Sequence, residues 1–173
     1  MNVKSEELQS SPSQVAPNAP VNPPNSRAAI TPFAGVGLAA VVAGGMIAAA
    51  VAHAPTEPLV WLVAYLVLIV GVAQAALGVG QHRLADRRLS PAWLWAEFAL
   101  YNLGNAGVIV GTLLDLTLLV DVGGVLLVVA LIGFLLGSRG AGKGALRWLY
   151  RILIVLLLIS VPVGLVLAQL QAG

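Results

Sequence analysis

"YNLGNAGVIVGTLLDLTLLVDVGGVLLVVALIGFLLG", residues 101–137, decides the fold. A helix needs about 20 mostly apolar residues to cross a hydrocarbon core, and a membrane strand would alternate over about ten. The stretch does not alternate and is long enough to cross twice, with Asp115 and its neighbours as the turn. Its first half raises a second question. Asn102, Asn105 and the glycines at 104, 107 and 111 stand inside a run that is otherwise greasy.

Outward from this pair of runs the chain repeats the pattern. Apolar runs cover about 33–52, 59–79, 93–114, 116–136 and 148–170. They are separated by "HAPTEP", "QHRLADRRLSPA", the Asp115 turn and "GSRGAGKGALR". The expectation is an all-α polytopic membrane protein, a five-transmembrane-helix bundle over 31–171. Composition agrees: 59% of the 173 residues are hydrophobic and 9% charged, against about 25% charged in soluble domains. The lipid bilayer is the expected solvent, and the cell membrane the expected location. No dense basic face is available for nucleic acid.

The first thirty residues hold five prolines and no apolar run. They lack the hydrophobic core of a secretory signal, so 1–30 reads as a disordered cytoplasmic tail rich in Pro, Asn and Ser. Orientation follows from charge. Arg83, Arg87 and Arg88 in one connector, and Arg139, Lys143 and Arg147 in another, favour the cytoplasmic side. With five spans both fall on the side of the tail, while Glu57, Asp115 and Asp121 fall on the other. The N-terminus is then inside and the C-terminus outside.

The residues that carry chemistry are few. There is no cysteine, which removes disulfides, thiolate nucleophiles and iron–sulfur ligation. His53 and His82 lie beyond opposite ends of the second run, too far apart to share a metal or haem iron. "SRGAGKG" lacks the Ser or Thr after its lysine that a phosphate loop requires. No catalytic, metal or cofactor set emerges, which points away from an enzyme. Ionisable groups within spans are functional candidates by default; here they are Glu97, Asp121 and Arg151. Glu97 and Arg151 each follow an interfacial tryptophan by about one turn, so they are expected to pair. Pro162 predicts a bend in the last helix.

At about 100° per residue, Glu97, Tyr101, Gly104, Val108, Gly111 and Thr112 share one stripe of the third helix, with Asn105 at its edge. Glycines let helices approach closely and amides bond across the contact. Matching small faces occur at Ala40, Gly44 and Ala48 of the first run, and at Gly71, Gln74 and Gly78 of the second. The leading expectation is a non-enzymatic accessory or assembly protein packing against other membrane subunits or copies of itself. One alternative is a small carrier or channel using the Glu97/Tyr101/Asn105 stripe. Another is a redox-associated subunit lining a quinone or haem site supplied by a partner.

The orientation has a direct check. Single cysteines at Ala85 and Ala141 should resist impermeant thiol reagents in intact cells, while one at Thr56 should react. Labelling at Ala85 but not at Thr56 would invert the topology.

Overall fold

The computed structural model describes residues 26–84, 90–138 and 144–172. The described residues form five helices: α1 (Ser26–Val51), α2 (Glu57–Leu84), α3 (Pro91–Leu113), α4 (Thr117–Gly137) and α5 (Ala145–Ala172). No strand occurs among the described residues. Four helices, all but α3, are long and apolar enough to cross a membrane. At 23 residues α3 has the length, but Glu97, Asn102 and Asn105 dilute its apolar content. The tail at 1–25 and most of both basic connectors (85–89 and 139–143) lie outside the described residues.

The helices begin and end where local chemistry dictates, and this corrects several boundaries. Residues 26–30, expected in the tail, belong to α1, which continues through Pro32. The second run, expected to end near residue 79, continues as helix through Gln81, His82 and Arg83 to Leu84, because basic groups suit a helix C-terminus. Ser90 caps α3 by accepting from the Trp93 N–H at 3.2 Å, with Pro91 at the first helical position, where its missing N–H costs nothing. The α3–α4 turn places Asp115 at φ 55°, and the Leu116 N–H donates to the Gly111 carbonyl at 2.8 Å. This is a Schellman ending with aspartate where glycine is usual. Helix α5 runs through Pro162 without interruption.

Two hairpins and one added helix make the bundle. Helix α1 lies along α2, α3 lies along α4, and α5 joins α4 and the C-terminal part of α2. The α3–α4 seam is a backbone contact. A β-carbon at Gly104 would stand 2.9 Å from the Gly123 carbonyl oxygen, one at Gly111 2.7 Å from the Val120 nitrogen, and one at Gly123 2.7 Å from the Gly104 carbonyl oxygen. The glycine face of α3 therefore meets α4, not the small faces of α1 and α2 that the sequence suggested. Those two pair with each other: a β-carbon at Gly44 would meet Val67, one at Gly71 Val41, and one at Gly78 Phe33.

Aromatic rings close the end of the bundle where α2 finishes and α3 begins. Phe33 of α1 is edge-on to Phe98 at 5.1 Å and to Phe134 at 5.7 Å, and Tyr101 is edge-on to Phe134. Leu77, Leu131, Tyr150 and Ile154 complete this buried cluster. Outward faces are apolar on every helix, as at Leu38, Leu68, Leu103, Leu118 and Leu156. That is the reverse of a water-soluble surface, where charged groups occupy such positions.

The glycine seam predicts a position-dependent response. Gly104→Leu and Gly123→Leu should each destabilise the bundle by about 1–3 kcal/mol through overpacking, read as a lowered unfolding temperature in mild detergent. Leu103→Met, on the exposed face of the same helix, should stay within about 0.5 kcal/mol of the parent. Equal tolerance at all three positions would refute the seam.

Candidate functional site

A second seam, between α2 and α3, is built from side chains instead of backbone. Three polar rungs cross it. At the aromatic end Glu97, only 2% exposed, accepts from Gln81 Nε2 on one carboxyl oxygen and from Trp93 Nε1 at 2.7 Å on the other. One turn along α3, the Tyr101 hydroxyl donates to the Ile69 carbonyl at 2.8 Å. A further turn along, Asn105 accepts from the Tyr65 hydroxyl at 2.9 Å while its own amide donates to the Tyr101 carbonyl at 2.8 Å. Asn102 needs no neighbour, because it donates back to the Phe98 carbonyl of its own helix at 2.8 Å. The amides inside the opening stretch are thereby satisfied.

The glycine and polar faces of α3 are neighbours rather than one surface. Gly104, Gly107 and Gly111 address α4, whereas Glu97, Tyr101 and Asn105 address α2, about a quarter turn round the helix. Glu97 also touches α4: a β-carbon at Gly133 would stand 2.9 Å from its Oε1. The carboxyl thus clasps three helices at once.

Helix α2 is adapted to the rungs. Over Leu66–Ala73 it is a π-helix, in which each turn takes an extra residue, as occurs where a side chain enters the backbone ladder. Tyr101 enters it there, at Ile69. The underwound stretch rotates the first part of α2 relative to the rest. Val60 and Ala64 turn outward and are exposed, while Trp61 and Tyr65 stack on each other at 5.0 Å and turn inward.

Beyond the rungs the bundle opens. A cleft of about 600 Å³ lies between α2, α3, α4 and α5. Tyr101, Val120, Gly124, Leu127, Leu131 and Leu157 form its buried floor, and Trp61, Tyr65 and Ile69 one wall. Glu57, Thr112, Asp115, Ser160 and Gly164 are exposed around its mouth. From Tyr101 to Asp115 it runs about 21 Å along α3.

The sequence candidates divide accordingly. Tyr101 and Thr112 line the cleft; Glu97 and Asn105 lie beside it in the seam. Asp121 is half-buried in the first part of α4. Gln74 is fully buried, and neither amide atom has a hydrogen-bond partner. Arg151 is half-buried, and its Nε has none either. The expected Glu97–Arg151 pair does not form: the carboxyl turns to the neutral donors of Gln81 and Trp93, which lie on its own side of the bundle. His53 and His82 are exposed, before and near the end of α2. Gln81, Tyr65, Trp61, Gly123 and Gly133 escaped the sequence reading. The seven-residue spacing of Gln74 and Gln81 and the four-residue spacing of Trp61 and Tyr65 were the available signals.

Compared with known protein families, curated proteins and solved structures, the chain matches none of them.

The clasp predicts which double mutants couple. Glu97→Gln and Gln81→Leu should be strongly non-additive in unfolding measurements, each single change costing about 1–3 kcal/mol by leaving a buried group without its partner. Glu97→Gln and Arg151→Gln should add. Coupling in the second cycle and additivity in the first would restore the ion pair.

Proposed function

We propose that the chain is a non-enzymatic integral membrane protein of five spans that holds an amphipathic molecule in its cleft, as an accessory subunit of a larger membrane assembly. The observation that carries this reading is the cleft itself. It has a hydrocarbon floor and wall, hydroxyls from Thr112 and Ser160, and carboxylates at the mouth. Its volume falls within the range of small-molecule sites, about 300–1,000 Å³.

The fifth span is supported by how α3 distributes its residues. Of the groups that lower its apolar content, Glu97 and Asn105 are buried and Asn102 is half-buried and bonded to its own helix, while Trp95, Leu103 and Val110 face outward. A helix so arranged turns a mainly apolar surface to lipid. The cleft then opens on the face of the cell membrane opposite the basic connectors, with the N-terminus cytoplasmic. Binding is favoured over catalysis because the described residues that line the cleft include no histidine to activate Thr112 or Ser160 as a nucleophile. The accessory role is supported by α5, whose exposed Leu149, Ile152, Leu156, Ile159 and Val163 offer a continuous face to another membrane subunit.

The test is quenching of Trp61 in uncharged detergent by a twelve-carbon alcohol brominated beside its hydroxyl. Saturable quenching is expected, lost in Trp61→Phe and weakened at least tenfold in Ser160→Phe, which fills the mouth. Quenching that is unsaturable and unchanged by Ser160→Phe would show that the cleft binds nothing.

A further inference from the structure

Resting on the reading of the cleft as an amphiphile site, we infer that its ligand is cationic: an alkylammonium or quaternary-ammonium amphiphile, its head at Glu57 and Asp115 and its chain on the leucine floor. Three features converge on that charge.

The first is the sign of the mouth. Glu57 and Asp115 are its charged groups, and no lysine, arginine or histidine is among the described residues lining the cleft. The arginines whose side chains are described, Arg83, Arg147 and Arg151, belong to the opposite end, beside the Gln81–Glu97 clasp, and His53, in the turn before α2, does not line the cleft. At that separation the arginines are well beyond the screening length of about 8 Å in physiological salt, so they do not neutralise the mouth. An anionic head would meet two carboxylates with nothing to offset them, and a cationic one would meet complementary charge.

The second is the order of groups along α2. Glu57, Trp61 and Tyr65 recur every four residues, about 6 Å apart along the axis, and all three line the cleft. A head entering past the carboxylate next reaches the stacked indole and phenol rings. Aromatic faces attract ammonium groups, and quaternary ammonium ions in particular, which shed water readily. The π-helical stretch exists in just the place that turns these two rings toward the cleft.

The third is what lies beyond. The Tyr65 hydroxyl is already spent on Asn105 and the Tyr101 hydroxyl on Ile69. The deep cleft therefore presents little free hydrogen-bonding capacity, and Leu127, Leu131 and Leu157 suit a hydrocarbon chain rather than a polar body. The polar demands of the ligand have to be met at the mouth, where the charge is negative.

The experiment compares three twelve-carbon amphiphiles, each brominated next to its head, below their micelle-forming concentrations in uncharged detergent. The heads are trimethylammonium, hydroxyl and sulfate, and the reading is the Trp61-dependent part of the quenching. The cation should bind at least tenfold more tightly than the alcohol, and the sulfate most weakly. The combined change Glu57→Gln and Asp115→Asn should bring the cation to the affinity of the alcohol while leaving the alcohol unchanged, which also shows that the variant is folded. Added salt should weaken only the cation. Equal affinities for all three heads would overturn the charge assignment and leave the cleft reading intact. Tighter binding of the sulfate would overturn it as well. Failure of all three to quench Trp61 saturably would overturn both.

Discussion

The bundle depends on two backbones touching. Where Gly104 and Gly107 of α3 meet Gly123 of α4, and Gly111 meets Val120, the two backbones lie against each other, and their relative rotation and height are set with little freedom. Dispersion and close approach drive helix association in lipid, where burying apolar surface gains nothing. Once α3 is pinned this way, its polar stripe cannot choose its direction. Glu97, Tyr101 and Asn105 are carried toward α2, and α2 answers with Gln81, the Ile69 carbonyl and Tyr65. The first seam is thus the cause, and the polar rungs are its consequence.

The two ends of the bundle then differ in kind. At the basic end Glu97 is held by two donors and by the space at Gly133, over a cluster of Phe33, Phe98 and Phe134. Glu97, Gln81 and Trp93 satisfy one another there, as a medium without water demands. At the acidic end Thr112, Ser160, Glu57 and Asp115 remain exposed while the helices separate around a cavity.

Much of the architecture was legible in the sequence, because apolar runs and their breakers report helix number and approximate length directly. Gly104 and Gly111 were legible as contact residues since small residues in a span have few other uses. Their partner was not, because one helical pattern shows which face is small and not which helix it meets. The Glu97–Arg151 pairing failed for a related reason. Depth along the membrane normal can be read from distance to tryptophan, whereas azimuth cannot, and Gln81 sits on the correct side. Of the cleft, the α3 stripe caught Tyr101, Val108 and Thr112. Its aromatic wall was hidden because extrapolating a regular helix from Gly78 brings Val60 and Ala64 inward in place of Trp61 and Tyr65.

That hidden phase shift has a consequence for the spacing of the chain. Helix α2 is in effect two helices on one axis, out of phase, and the Leu66–Ala73 stretch is the coupling between them. The inner portion is keyed to α3 at Gln81 and the outer portion at Tyr65. Chain length between those keys is therefore a structural quantity in its own right, independent of which apolar residues fill it. Excising one residue from the stretch would only relax it toward an ordinary helix, since a wide turn absorbs one extra residue, whereas inserting one would turn Tyr65 about 100° away from Asn105 and leave Gln81 on Glu97. The cleft would lose its aromatic wall with every one of its side chains still present.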